Sequence, residues 1–287
     1  MKPSERMIVI RGGAVKVRVL SAGRGPALVY LHSFHDRNSW PPLLERLAER
    51  FTVHAPLHPG VDGSEGTEHL DDVVDLGLAY DEVLGALRLD STLVAGHFFG
   101  AMMAAELAAL CPGRVRKLCL ISPLGLWIDG KPVADVIVLP SAQLDSLLWS
   151  DPESDAARAW RVWPEGEEAS VTAQIEQTQR LAVMGKFVWP IPDKGLRKRL
   201  HRVAAPTLIL WGDDDRVNPE VYGQEFARRI RRARLERLVG GHMLHLESMR
   251  AVAAAMTDFF TSAGASARRA RTPSRGAGSR PRTRQSG

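Results

Sequence analysis

The 287-residue sequence contains little cysteine and no long apolar run. Its two cysteines, Cys111 and Cys119, are too few for a disulfide framework, and we expect both to be buried thiols in a reducing compartment. No stretch of about 18 apolar residues occurs, so no transmembrane segment is expected. The N-terminal residues also lack the apolar region of a signal peptide, and a cytoplasmic protein is therefore predicted.

The net charge of +5 comes from one end of the sequence. Residues 264–287 contain seven arginines and no acidic residue, which leaves the rest of the chain slightly acidic. We expect residues 263–287 to form a disordered tail, because Arg, Ser, Gly and Pro bury too little apolar surface to offset the entropy of ordering. The tail is either a solvated extension or a weak contact for acidic surfaces, and the charge predicts no specific nucleic-acid partner.

Apolar runs alternate with helical periodicity along most of the chain. Strands are expected at residues 15–20, 27–31, 51–56, 92–96, 115–122, 206–211 and 235–239. Helices are expected at residues 41–50, 70–89, 101–110, 220–231 and 247–260. Apolar strands separated by helices predict an α/β fold, with a mostly parallel sheet covered by helices on both faces.

The alternation stops between residues 125 and 204, where helix-like sequence is rich in tryptophan. Five of the seven tryptophans lie there, at positions 127, 149, 160, 163 and 189. We interpret residues 125–204 as a helical lid inserted into a core formed by residues 1–124 and 205–262. Each tryptophan is expected to pack the lid onto the sheet, and at least one to line an apolar pocket for a small molecule.

Five segments in this framework form a recognisable series. They are Leu31-His32 after a buried strand, His58-Pro59-Gly60, the GHFFG segment at 96–100, PTLILWGDDDRVNP at 206–219, and GHMLHLE at 241–247. In these segments the chain resembles the α/β-hydrolase superfamily, specifically its lidded single-domain type, over nearly its whole length short of the tail. The resemblance implies an α/β-hydrolase fold with a nucleophile on a strand-to-helix elbow, a histidine base and a carboxylate.

The resemblance assigns His242 as the base and Asp215 as the carboxylate that orients it. The nucleophile position of the elbow is occupied by Phe98, whose side chain has no proton to give and no lone pair with which to attack. A covalent intermediate on that residue is therefore excluded. The backbone amides of Phe34 and Phe99 are the expected donors of an oxyanion hole, because that function needs N–H groups and not side chains.

Four further departures from the family pattern accompany Phe98. They are Ser33, His35, Leu57 and Asp62. Ser33 is a possible alternative nucleophile because its loop faces the elbow, whereas Ser122 and Ser64 are weaker candidates; turn hydrogen bonding is the other interpretation for all three. His245, three residues after His242, is expected to be either structural or a polar residue that supports the site from behind, and to face elsewhere.

Three functions fit these residues. In the first, His242 and Asp215 act as a general base on a small, largely apolar carbonyl or ester-like substrate or on a water molecule, in hydrolase, lyase or cofactor-free oxygenase chemistry. In the second, Ser33 replaces the missing nucleophile. The third is a catalytically silent pseudo-hydrolase that binds a ligand or partner, with Phe98 filling the old site.

No cofactor or metal is expected. The sequence has no glycine-rich phosphate-binding motif. The histidines at 32, 35, 54 and 58, with Asp62 and Glu65, lack the H-E-x-x-H spacing of a helical zinc site. The predicted partner is a small-molecule substrate, and the sequence does not indicate an oligomeric state.

Overall fold

A sheet of eight strands forms the centre of the described part of the chain, which comprises residues 2–33, 35–37, 39–191 and 193–262 of a computed structural model. The strands are β1 (Ser4–Ile10), β2 (Val15–Ala22), β3 (Ala27–Leu31), β4 (Thr52–Pro56), β5 (Thr92–His97), β6 (Val115–Ile121), β7 (Thr207–Gly212) and β8 (Ala233–Leu238). Their order is β1-β2-β4-β3-β5-β6-β7-β8. Strand β2 pairs antiparallel with β1 and β4, and all other pairs are parallel.

Helices cover both faces of the sheet. They are α1 (Pro42–Ala48), α2 (Val73–Ala86), α3 (Phe99–Leu110), α4 (Ser141–Leu148), α5 (Asp155–Arg161), α6 (Glu167–Val188), α7 (Val221–Arg229), α8 (Leu244–Glu247) and α9 (Met249–Thr261). Helices α1 and α9 contribute to one apolar cluster, and α2, α3 and α7 contribute to the cluster on the opposite face. The predicted α/β-hydrolase fold is confirmed by this architecture.

The central strands are apolar because they are buried on both faces. Every residue of β5 and of β7 is buried, whereas the edge strand β8 is partly exposed. Helix α2 begins at Val73, three residues later than the apolar periodicity predicts, because the Asp72 carboxylate accepts hydrogen bonds from the backbone amides of Val74 and Asp75 and caps the helix there. Strand β1, which is not among the predicted strands, forms a hairpin with β2.

The interval between β6 and β7 contains helices α4, α5 and α6, where the sequence predicts the lid. Arg180 of α6 makes a bidentate ion pair with Asp62, which precedes α2, and both side chains are only 6% exposed. The assignment of this interval as a lid stays a prediction. The predicted tail at 263–287 lies outside the described residues, and none of the described helices is long and apolar enough to cross a membrane.

Candidate active site

The turn between β5 and α3 has the backbone of a strained elbow. Phe98 joins the two elements with φ 45° and ψ −103°, a conformation that non-glycine residues rarely adopt. Glycines flank it because the turn is crowded: a Cβ on Gly96 would collide with the backbone of Gly100, and one on Gly100 would collide with the carbonyl of Leu31. The local sequence therefore preserves the backbone of a nucleophile elbow although the side chain at its tip is a phenyl ring.

The Phe98 ring packs against the histidine that would serve a nucleophile. It is fully buried, and its centroid lies 4.5 Å from that of His242 with the two rings perpendicular. A phenyl group in this position has no nucleophilic atom and cannot form a covalent intermediate with a substrate. Any chemistry at the elbow therefore proceeds without residue 98 as a nucleophile.

His242 and Asp215 form a buried pair. His242 Nδ1 lies 3.1 and 3.0 Å from the two carboxylate oxygens of Asp215, and neither side chain is exposed. The Asp215 Oδ1 atom also accepts hydrogen bonds from the amides of Val217 and Asn218, which fix the carboxylate in the turn after β7. With the hydrogen on Nδ1 the ring has its lone pair on Nε2, and this atom has no hydrogen-bond partner among the described residues.

The neighbouring acids of the same turn have other contacts. Asp213 accepts a hydrogen bond from the backbone amide of Gly240, and Asp214 forms an ion pair with the partly exposed Arg216. Of the three consecutive aspartates, the structure brings only Asp215 to His242.

A second histidine–aspartate pair lies beside the elbow and was missed in the sequence. His245 Nε2 is 2.8 Å from Asp36 Oδ1, and both side chains are buried. A supporting polar residue, one of the two expectations for His245, fits this pair, but its expected direction does not, because the one-turn helix α8 places its ring 4.2 Å from the ring of His97. Asp36 Oδ2 accepts a hydrogen bond from the Ser33 amide, so the pair also holds the loop after β3.

Burial dominates the titration of these groups. It lowers the pKa of His97 well below its ordinary value, and it lowers the pKa of His35 to about 3. Burial alone raises the pKa of Asp36, but the charge and hydrogen bond of His245 and the nearby His97 bring it below its usual range. At neutral pH His97 and His35 are therefore neutral, and Asp36 is a carboxylate. The neutral His97 donates its Nε2 hydrogen to the carbonyl of His242.

Of the two predicted oxyanion donors, the structure describes only the amide of Phe99. Phe99 is the first residue of α3, so its amide belongs to the N-terminal end of that helix. Phe34 lies outside the described residues. The oxyanion role of both amides stays a prediction.

The alternative nucleophiles differ in their surroundings. Ser33 is 1% exposed and its Oγ has no hydrogen-bond partner in the described part of the chain, which includes His242. Ser122, directly after β6, is also buried with an unpartnered Oγ among those residues. The Ser64 hydroxyl donates to the carbonyl of Leu57, as turn hydrogen bonding predicts. No described contact connects these hydroxyls with the base.

One group of side chains could offer ligands to a metal ion. Asp36, His97 and His245 each present one ligand atom, and the three atoms lie within 4.8 Å of one another. The hydrogen bond between Asp36 and His245 already uses part of this set. The histidines considered in the sequence are engaged otherwise: His32 stacks on His58 with ring centroids 3.9 Å apart, and His54 contacts Ser21.

Two cavities lie between α5, α6 and the loop after β3. One, of about 570 Å³, is lined by residues that include Asp36, Arg37, Trp160 and Trp163. The other, of about 500 Å³, is lined by Arg37, both tryptophans and His35. Volumes of this size accommodate small molecules. Trp189 does not fit the expected packing role fully, because it is 51% exposed.

The mostly parallel sheet, the elbow at the end of β5 and the histidine–aspartate pair after β7 and β8 define the α/β-hydrolase class. The model of the alpha/beta hydrolase family matches residues 28–255. The chain therefore belongs to the alpha/beta hydrolase family.

Similar proteins include an uncharacterised protein of Mycobacterium tuberculosis, 25% identical over 223 residues, or 69% of this chain and 64% of that protein. This chain thus spans less than two thirds of that relative. A 2-hydroxy-6-oxo-6-phenylhexa-2,4-dienoate hydrolase of Burkholderia cepacia is 24% identical over 243 residues, covering 77% of this chain and 82% of that protein. The solved structure of the hydrolase of the same name from Rhodococcus sp. strain RHA1 matches with a TM-score of 0.71 at 20% identity, covering 91% of this chain and 99% of that one. At this identity the structural likeness shows the fold.

Proposed function

We propose that this chain is an enzyme of the alpha/beta hydrolase family in which His242 acts as a general base on a small, largely apolar carbonyl or ester-like substrate. The observation that carries the proposal is the buried pair of His242 and Asp215. In this pair the Nε2 atom of His242 has no hydrogen-bond partner among the described residues. Packing a core does not require an oriented imidazole with an available lone pair, whereas proton abstraction does.

The proposed reaction needs no covalent intermediate. His242 Nε2 takes a proton from a water molecule, the resulting hydroxide adds to the carbonyl carbon, and the imidazolium returns the proton to the leaving group as the tetrahedral intermediate collapses. Asp215 stabilises the imidazolium through Nδ1. The amide of Phe99, with that of Phe34, is the proposed donor to the oxyanion.

The substrate class follows from the two cavities beside the loop after β3, which are lined by Asp36 in one case and His35 in the other, and not by His242 itself. The two cavities beneath α5 and α6 are lined largely by apolar and aromatic side chains, which favours a substrate with an apolar body. The name of the Burkholderia cepacia relative describes a hydrolase of a phenyl-substituted oxo-dienoate, a molecule that combines a ketone with an apolar ring. This is consistent with the proposed class.

Access to the base depends on residue 98. His242 is fully buried, and the Phe98 ring covers it, so turnover requires that ring to move. Phe98→Ala removes the cover without adding a nucleophile, and Phe98→Ser removes it and adds a hydroxyl. Comparison of the two variants therefore separates access to the base from nucleophilic attack.

The test is the hydrolysis of 4-nitrophenyl acetate by the full-length chain. We expect turnover by the wild type, faster turnover by Phe98→Ala, and loss of at least tenfold in rate in Asp215→Asn. Asp214→Asn is the matched control, because Asp214 belongs to the same turn but contacts Arg216, and its rate should be unchanged. Equal rates for Asp215→Asn and Asp214→Asn would remove the pair from the mechanism.

A silent binding protein is the second candidate, and the complete burial of His242 under Phe98 favours it. This candidate predicts that wild type and Phe98→Ala are both inactive. Phe98→Ser would then gain esterase activity that is lost again in Phe98→Ser/His242→Gln. That pattern would mean that the scaffold of a hydrolase persists without its reaction.

A further inference from the structure

Arg37, in the loop after β3, is clamped between two tryptophans of the predicted lid. Its Cζ atom lies 3.7 Å from the ring centroid of Trp160 and 4.0 Å from that of Trp163. Its Nη1 donates a hydrogen bond of 2.7 Å to the carbonyl of Trp160, whose own Nε1 donates to the carbonyl of His35. Both faces of the guanidinium are therefore covered and its orientation is fixed.

The edge of the guanidinium that bears Nε remains without a partner in the described part of the chain. The Arg37 Nε atom is buried and makes no hydrogen bond there. A buried donor without an acceptor is costly, and a cation is more costly than a neutral group. Burial accordingly lowers the pKa of Arg37 to about 10, which still leaves it charged at neutral pH.

The carboxylates near Arg37 each contact a different side chain. The pairs are Asp62 with Arg180, Asp145 with Arg161, and Asp36 with His245. Glu176, which lines the larger cavity, is exposed to solvent. Among the described residues Arg37 forms no ion pair: the charge of Asp145 raises its pKa, but the direct contact of that carboxylate is with Arg161.

Arg37 borders both cavities, and their other walls are mainly apolar. The larger cavity is lined by Pro41, Pro42, Ala156, Ala159, Leu246 and Met249, among others. The second has apolar walls from Val136, Ile137, Leu139, Leu144 and Leu181. Each cavity therefore combines one fixed cation with apolar side chains against which the apolar part of a ligand can pack.

We propose that Arg37 anchors a binding site for an amphipathic carboxylate, whose head pairs with the guanidinium edge and whose apolar body occupies one of the two cavities. A planar carboxylate matches that edge because two parallel N–H donors can bind its two oxygens, and since the Nε atom is buried, part of the cavity wall must move aside for the carboxylate to reach it. The site is separate from the base at His242, so it would serve the substrate of an enzyme and the ligand of a silent binding protein equally well.

The test is isothermal titration calorimetry of the full-length chain with two probes of equal shape, 4-phenylbutyrate and its neutral analogue 4-phenylbutanamide. The wild type is expected to bind the acid at least tenfold more tightly than the amide. Arg37→Gln should abolish this preference by weakening the acid alone, and Arg37→Lys should retain part of it because the charge remains while the planar edge is lost. Arg158→Gln is the control, since Arg158 lies on α5 but is 57% exposed, and its preference should equal that of the wild type.

Circular dichroism and thermal melting establish that each variant is folded. If Arg37→Gln does not fold, Arg37→Lys and the comparison of the two probes on the wild type decide the question. Equal affinities of the wild type for acid and amide, binding of neither probe, or an undiminished preference in Arg37→Gln would each overturn the proposal. Binding is measured without turnover, so the result is independent of whether the protein hydrolyses esters.

Discussion

Replacement of Phe98 by glycine and by alanine provides a quantitative test of the elbow. At a fully buried position, truncation of phenylalanine to alanine costs about 3–5 kcal/mol, and glycine shares nearly all of that loss. The backbone, with φ 45° and ψ −103°, adds a strain of roughly 1–3 kcal/mol for any residue with a Cβ, and glycine is free of it. Glycine in turn costs about 0.5–1 kcal/mol more in conformational entropy.

The balance of these terms ranges from about 0 to 2.5 kcal/mol, and its midpoint makes Phe98→Gly more stable than Phe98→Ala by roughly 1 kcal/mol. This order of stability is the reverse of the usual one, because at an ordinary helical position a glycine variant is less stable than the corresponding alanine variant. Phe99 provides the control: it is equally buried and is the first residue of α3, so Phe99→Ala should be more stable than Phe99→Gly.

Urea unfolding followed by circular dichroism at 25 °C measures both pairs of variants. The predicted difference corresponds to a few degrees in melting temperature for a domain of this size. If Phe98→Gly proved no more stable than Phe98→Ala, the residue would not have the left-handed backbone on which the assignment of the elbow rests.

The remaining predictions concern stability. Burial lowers the pKa of His35 to about 3, so the folded state resists protonation there. This contribution to the free energy of unfolding is fully present above about pH 6.5 and is lost as the pH decreases toward 3. Urea unfolding at several pH values should therefore show a less steep loss of stability in His35→Gln. Arg180→Met leaves Asp62 buried without its partner and should cost about 3–5 kcal/mol, whereas Arg180→Met/Asp62→Leu should recover part of the loss, and full additivity would contradict this account. Asp72→Ala should cost about 1 kcal/mol through loss of the α2 cap while Asp71→Ala costs much less, and equal costs would argue against the cap.

The fold could be predicted because its signals are local. Runs such as residues 93–95 and 208–211 are apolar throughout, which is typical of central parallel strands. The pairing of Asp215 with His242 was predicted from the family resemblance. The structure accounts for it, because each residue follows one of two adjacent parallel strands, β7 and β8, whose carboxyl ends meet at one edge of the sheet.

The contacts that complete the site join segments that are far apart in the sequence and that share no recognisable sequence motif. Asp36 and His245 are separated by 209 positions, and Arg37 and Trp160 by 123, so no periodicity or spacing connects them. The direction of His245 was mispredicted because a single helical turn, α8, rotates it back toward the elbow. These contacts depend on packing between loops that are distant in the sequence, and local sequence patterns therefore could not predict them.

The rate at which the wild type and His242→Gln hydrolyse 4-nitrophenyl acetate tests the proposed function most directly. A base that acts without a nucleophile at residue 98 predicts measurable turnover by the wild type, no initial burst of nitrophenol, and a loss of at least tenfold in His242→Gln. Hydrolysis that persists unchanged in His242→Gln, or a wild type that does not hydrolyse the ester at all, would contradict the account.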